Sequence, residues 1–484
     1  MGGAARALAA AAGLLLLLGG CEERETGPVS VTAIGSPPRL ANPNLEPLDP
    51  GSAFLLQAVA QGLVRFDAAG EIEPALAQRW IVSDDGLRYT FRLARAEWPG
   101  GGRITAEQVA ARLRAATSRA SRNPLKPLLG AIAEIVAMTD EVLEISLHSP
   151  RPSFLQLLAQ PEMAVIRAGE GSGPYRAAAA GEGILLLTLP RSREEEDEKE
   201  EAPPVELGTG TAALAAALFR EGDTDLVIGG TAGDLPLARA LRPAANALVF
   251  DPVAGLFGLS WGSIEGPLAE PAVRHAIAMA IDRPALVATF AVPGLQIRES
   301  LLPPGIEGLS PVAGPAWTAA PLPARREAAV ATLAQATEGT LLRLRVALPD
   351  GLGYRLLFAH LRRDWAAVGV ASERVAVGAP ADLRLIDEVA PADLATWYLR
   401  HFTCDASRVC DPAADEMLAA ARIAPTRANR RALIANADRI LADAAVFIPL
   451  SPPVRWSLVA PRLNGFRPNR FGRHPAGELV RRTP

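Results

Sequence analysis

One stretch constrains the fold more than any other. LRLRVAL (342–348) reads as a strand, YRLLFAHLRRDWAAVG (354–369) as a helix stopped by Gly369, and VASERVAV (370–377) as a second strand. A strand, a helix and a strand in succession make a βαβ unit. Such a unit requires parallel sheet with the crossover helix on one face. The same alternation recurs along the chain with no short-period repeat, so the expected class is α/β throughout. With 484 residues, the chain exceeds what one core serves, and about two or three domains are expected.

Charged residues are 21% and apolar residues 49%, an ordinary globular balance. The formal charge of −4 argues against a nucleic-acid surface, which needs a basic face. EEEDEKEE (194–201) is the sharpest break in composition. Like charges at that density repel and stay solvated, so 191–204 is expected to be a surface loop.

The chain opens MGGAARALAAAAGLLLLLGGCEE. Arg6 precedes an apolar run from Ala7 to Leu18, which as a helix would span only ~18 Å against a bilayer core of ~30 Å. That is the pattern of a secretion signal, not of a membrane span. L-G-G-C, ending at Cys21, resembles the bacterial lipobox, whose cysteine is lipidated and becomes the mature N-terminus. The resemblance implies a periplasmic body held on a membrane by lipidated Cys21, with 21–29 as the tether. Acyl chains at ~0.8 kcal/mol per buried methylene hold such a protein stably. Cys404 and Cys410 suit the same compartment. A disulfide is expected, with redox or metal roles as the alternatives.

GLSWG (258–262) satisfies G-x-S-x-G, the spacing of a hydrolase nucleophile elbow. An elbow needs a helix directly after the serine, and Gly266-Pro267 breaks any such helix. LFGLSWGS reads instead as one strand, which leaves Ser260 without a catalytic role. Trp261 is either a cleft aromatic that stacks on ligand or a core residue.

Other local signals are clear. VSVTAIG reads as a first strand and FLLQAVAQGLVRFD as a helix entering a strand. Pro74 is expected to open a short helix over ALAQRW. LRYTFRL alternates as a half-buried strand. Thr105 and Gln108 form a capping box. EPAVRHAIAMAIDRPALVATF (270–290) reads as a helix that restarts at Asp282.

Several pieces, in this order, resemble the peptide- and nickel-type substrate-binding proteins of bacterial ABC importers. They are GLVRFDAAGEIEPALAQRWIVSDDGLRYTFRL (62–93), WPGGGRITAEQV (98–109), SGPY (172–175), EPAVRHAIAMAIDRPALV (270–287) and LLPPG (301–305). The resemblance implies the two-lobed type II periplasmic-binding-protein fold, in its large peptide-binding class. An extra domain is inserted in the first lobe. The expected division is 30–53, 167–262 and 451–484 for lobe 1, 54–166 for the insert, and 263–450 for lobe 2. Lobes close on ligand by a hinge and deliver it to permease subunits. Neither chemistry nor a cofactor is implied, and a monomer is expected.

The family's peptide binders hold the ligand amine with a carboxylate in A-D-Y-x-D-P. Here the corresponding stretch, LRLIDEVAPADLATWYL (383–399), has lost that motif. Asp387 and Glu388 fall nearest to the place of the aspartate. A buried ammonium needs such a partner. Trp397, Tyr398 and Arg400 follow as candidates to line the cleft, with Arg400 offering a guanidinium for a carboxylate. The five histidines are scattered, which argues against a bare metal site. A chelated metal would not need them. The expected ligand is a small solute, a short peptide first. A sensor of the same fold and a hydrolase built on Ser260 are the competing readings.

Overall fold

The computed structural model describes residues 27–190, 202–244, 246–309, 312 and 314–480. Cys21 with the expected signal, most of the expected tether and most of the acidic 191–204 stretch lie outside the described residues; the tether ends sooner than 29, because Val29 already opens the first strand. Two large sheets and a smaller one organise the rest.

The first sheet has seven strands, in the order Arg176–Gly181, Ile184–Thr188, Val205–Gly210, Val29–Ile34, Leu226–Thr231, Arg455–Val459, Leu248–Asp251. Val29–Ile34 is parallel to both of its neighbours. The C-terminal strand Arg455–Val459 inserts antiparallel between two earlier strands. Helix Pro50–Val59 packs on this sheet. Asp49 caps it, its carboxylate accepting from Ser52 N at 2.8 Å, and Phe54 and Leu55 join Val31 in the core.

The second sheet has five strands, in the order Ala371–Val375, Arg343–Ala347, Leu383–Val389, Gly255–Trp261, Phe447–Ser451. The βαβ unit is present: Arg343–Ala347 runs parallel to Ala371–Val375. Helix Leu352–Ala366 crosses between them and buries Leu357, Leu361 and Trp365. Helices Pro271–Met279 and Arg283–Phe290 meet at Asp282, whose side chain accepts from Ala285 N at 3.1 Å.

The third sheet is antiparallel: Ala77–Val82, Arg88–Leu93, Val142–Leu147, Ile132–Thr139. Helix Ala106–Thr117 covers one face, and its capping box on Thr105 and Gln108 is formed.

Three expectations are corrected. Residues 77–82 form a strand, not a helix opened by Pro74. A bulge between Ala77 and Arg79 hides its alternation, and Pro74 instead pairs with Val64 in a short ladder. Strand Gly255–Trp261 belongs to the second sheet, so the crossing between lobes falls before Gly255, not after 262. The helix that spans residue 54 packs on the first sheet, so the inserted domain starts later than 54. Cys404 and Cys410 are joined by a disulfide, which sets aside the redox and metal alternatives for that pair.

The chain therefore passes from the first sheet to the second at 252–254 and returns at 452–454. The two passages lie near one another: a Cβ added to Gly255, at the end of the first, would come within 3.0 Å of Pro453 in the second. Two short adjacent connections are the structural requirement for a hinge.

Candidate functional site

A cavity of about 470 Å³ opens where the first sheet, the inserted domain and the second sheet meet. Its walls come from the start of helix Pro50–Val59, the end of strand Leu226–Thr231, the segment 388–400, strand Arg455–Val459 and the loop 471–474. Close backbone approach shapes it. Gly229 has φ +86°, and a Cβ there would sit 2.9 Å from Pro50. A Cβ on Gly230 would collide with the Trp456 indole at 2.2 Å. Glycine is the residue for such contacts.

Strand Leu383–Val389 sends successive side chains to opposite sides, and this separates the two candidate acids. Asp387 is turned inward and is not part of the cavity wall. Its Oδ1 accepts from Arg455 at 2.6 Å and its Oδ2 from the Tyr354 hydroxyl at 2.7 Å. Both oxygens are occupied, and the contact joins the two lobes. Burial, followed by the Asp387 charge, pushes the Tyr354 hydroxyl above the usual tyrosine range.

Glu388 faces the cavity and its side chain is 56% exposed. Its carboxylate lies 3.2 Å from His401 Nε2, while His401 Nδ1 lies 2.8 Å from the Trp397 carbonyl. The His401 hydrogen bond holds the Glu388 carboxyl below the usual range, against the opposing effect of burial. The Trp397 carbonyl can only accept, so Nδ1 is the donor of that contact.

Trp397 lines the cavity while buried among protein, and meets Tyr398 and His401 edge-on at 4.8 Å each. Arg400 lines it as well. Its Nε is sealed from solvent and has no hydrogen-bond partner. Burial lowers its pKa, with the Glu388 charge opposing.

The remaining candidates sit elsewhere. Tyr398 is 1% exposed, a core residue whose hydroxyl is pushed up by burial. Trp261 is also core, its indole N–H donating to the Ala445 carbonyl at 2.7 Å. Ser260 lies within a strand and donates to the Arg384 carbonyl at 3.3 Å, rather than to an imidazole. The nucleophile-elbow spacing is a coincidence of strand sequence.

Residues that sequence reasoning missed complete the wall. Arg473 contacts Gln160 Oε1 at 3.4 Å and Glu162 Oε1 at 3.3 Å. Glu162 Oε2 is buried without a partner. His474 Nε2 lies 3.2 Å from Asp251 Oδ2. Phe471, also in the wall, stacks on Phe66 at 4.3 Å. The signal was present as the dense run of arginine, histidine and phenylalanine in GFRPNRFGRHP (465–475). Among the described residues no group of three or more His, Cys, Asp or Glu is placed to hold a metal. No described helix is long and apolar enough to cross a membrane.

Comparison with known proteins agrees with this architecture. Residues 71–373 match the model of "Bacterial extracellular solute-binding proteins, family 5 Middle". The nickel-binding periplasmic protein of Escherichia coli K12 is 27% identical over 285 residues, covering 55% of this chain and 54% of that protein. The glutathione-binding protein GsiB of the same strain is 34% identical over 143 residues, 28% of this chain and 27% of that protein. The matched stretch thus spans about half the length, or less, of these relatives. Among solved structures, Haemophilus influenzae OppA in complex with the peptide RPPGFSPFR superposes with TM-score 0.78 at 17% identity, over 94% of this chain and 98% of that one. The Escherichia coli murein tripeptide binding protein MppA gives TM-score 0.79 at 19% identity with the same coverage. Its unliganded open form gives 0.67 at 20% identity, over 94% and 96%. These likenesses establish the fold.

Proposed function

The chain belongs to the family 5 bacterial extracellular solute-binding proteins of ABC importers, and from that premise we propose that it captures a short peptide between its lobes and hands it to permease subunits. It is a binding protein and not an enzyme. The observation that carries the proposal is the cavity of about 470 Å³, walled by both lobes and lined by charged and aromatic side chains. A site of that size suits a small solute. Glu388, Trp397 and Arg400 are the proposed contacts from the second lobe. The first lobe brings Arg473 and Phe471 to the opposite wall.

The two connections at 252–254 and 452–454 supply the hinge. Lipidation of Cys21 would keep this body at the membrane, within reach of the permease, in the periplasm. The relatives named for peptides and for glutathione support a peptide over other solutes. The relative named for nickel makes a chelated metal the second reading, because the carboxylates of a chelator would meet the same arginines.

Small-angle scattering on a Cys21→Ala form tests closure. Adding a mixture of short peptides should reduce the radius of gyration. An unchanged radius at saturating peptide would contradict capture by hinge closure.

A further inference from the structure

A second cavity, of about 30 Å³, lies within the second lobe and shares no wall residue with the cleft. Arg283, the first residue of helix Arg283–Phe290, lines it and is 1% exposed. Its Nε donates to the Pro449 carbonyl at 2.8 Å and its Nη1 to the Ala278 carbonyl at 3.1 Å. Its Nη2 is buried with no hydrogen-bond partner among the described residues. Trp317, also in the wall, has two guanidiniums over its ring, Arg283 at 5.5 Å and Arg325 at 5.7 Å from the centroid.

The charges here do not balance. Arg325 is 8% exposed, and its Nη1 lies 3.3 Å from Glu299 Oε1. Two buried cations thus share the carboxylate of Glu299. Burial pushes the Arg283 pKa down to about 10, with the Glu299 charge opposing and the Arg325 charge adding to it, so the guanidinium is charged at neutral pH. His275, in the same wall, brings no charge. Its Nε2 lies 3.2 Å from the Asp443 carbonyl, which can only accept, and its Nδ1 accepts from Trp317 Nε1 at 3.1 Å. Burial lowers its pKa as well. The Asp443 carboxylate is turned to solvent and pairs with Arg439. Arg274, next to His275, donates to the carbonyls of Leu268, Ala269 and Ala444 and has Glu270 acting on it.

A buried cation without its counter-charge is costly. Water fits a space of this size and would satisfy the free donor, but it would leave the charge unmatched. We propose that this cavity binds a small monovalent inorganic anion of chloride size, held at Arg283 Nη2. The volume admits about one or two particles of water size, which excludes a peptide. The site is therefore independent of solute capture in the cleft. Its role is to join the helices that carry Arg283 and Arg325 to strand Phe447–Ser451 through a shared counter-ion.

The test compares the folded Cys21→Ala chain in sodium chloride and in sodium gluconate at equal ionic strength, gluconate being too large to enter. The thermal midpoint should rise by about 2–5 °C as chloride replaces gluconate, the scale for a ligand at about a hundred times its Kd on a long chain. Arg283→Met should remove that rise. Should this variant fail to fold, Arg325→Gln gives the same reading: it frees Glu299 to match Arg283, and the rise should vanish. Glu299→Gln should enlarge it, because both cations then lack a carboxylate. Crystals grown in sodium bromide should show an anomalous peak in the cavity beside Arg283.

Equal midpoints in the two salts would overturn the proposal. So would a chloride-dependent rise that Arg325→Gln retains, which would place the ion elsewhere. Density beside Arg283 with no bromide signal would mark a water molecule and overturn it too. None of these outcomes bears on the reading of the cleft.

Discussion

Adjacent acids on one strand have different environments, and that difference sets their roles. Asp387 is enclosed between Arg455 and Tyr354, with its side chain 9% exposed. Asp387→Ala should therefore cost about 3 kcal/mol, because it leaves a part-buried arginine unmatched; urea denaturation would show it. Glu388 points into open cleft, and Glu388→Gln should leave the denaturation midpoint almost unchanged. The sequence located both acids but could not separate their roles. The alternation of the strand was readable, whereas the partner of Asp387 lies 68 residues away on the other sheet. The same limit applied to Trp261, whose core role depends on the Ala445 carbonyl 184 residues distant.

Tyrosines give a further test at this scale. Burial raises the pKa of Tyr89, Tyr354 and Tyr398. In the unfolded chain each loses its proton near pH 10, while in the folded chain each keeps it longer. The folded state then binds more protons, so stability falls as pH rises beyond about 10 and is fully present below it. Urea midpoints between pH 8 and pH 11 should fall only at the alkaline end. A flat profile would mean that these hydroxyls are not desolvated.

Single residues also fix how elements join. Asp364 is fully buried and ties three helices together. It accepts from Asp282 N at 2.9 Å, and from Arg326 and Arg363 at 2.9 and 3.0 Å. Asp364→Ala should cost about 3 kcal/mol or more, measured as a lowered denaturation midpoint, with Asp364→Asn milder. The Cys404–Cys410 bridge closes a small loop, worth about 2 kcal/mol in the chain-entropy account. Reduction should speed amide exchange in that loop without unfolding the lobes.

Legibility at this scale followed locality. The capping box at Thr105 and the restart at Asp282 are settled by neighbours within three residues, and both could be read. Strand Ala77–Val82 could not, because its bulged pairing with Arg88–Leu93 shifts the pattern. The crossing before Gly255 carries no change of composition. It is defined only by pairing with Leu383–Val389 and Phe447–Ser451.

At the scale of the whole molecule, the lobes meet around Asp393. Its backbone N–H donates to Gln156 Oε1 at 2.9 Å, its carbonyl accepts from Ser153 at 3.0 Å, and its carboxylate pairs with Arg470. Ser153 and Gln156 follow the inserted domain's sheet, while Arg470 belongs to the C-terminal segment, so these contacts tie three parts of the chain together. The Asp393–Arg470 pair is partly exposed, where such pairs contribute up to about 1 kcal/mol. Arg470→Ala should therefore speed solute release by about two- to fivefold with little change in stability, as stopped-flow dissociation would show.

The central claim is that the cleft holds a small solute. It is tested most directly by native mass spectrometry of the Cys21→Ala protein, purified without unfolding and then exposed to short peptides. The account predicts protein carrying an added small mass that denaturation releases as a carboxylate-bearing solute. Protein at its bare mass, before and after exposure, would contradict it.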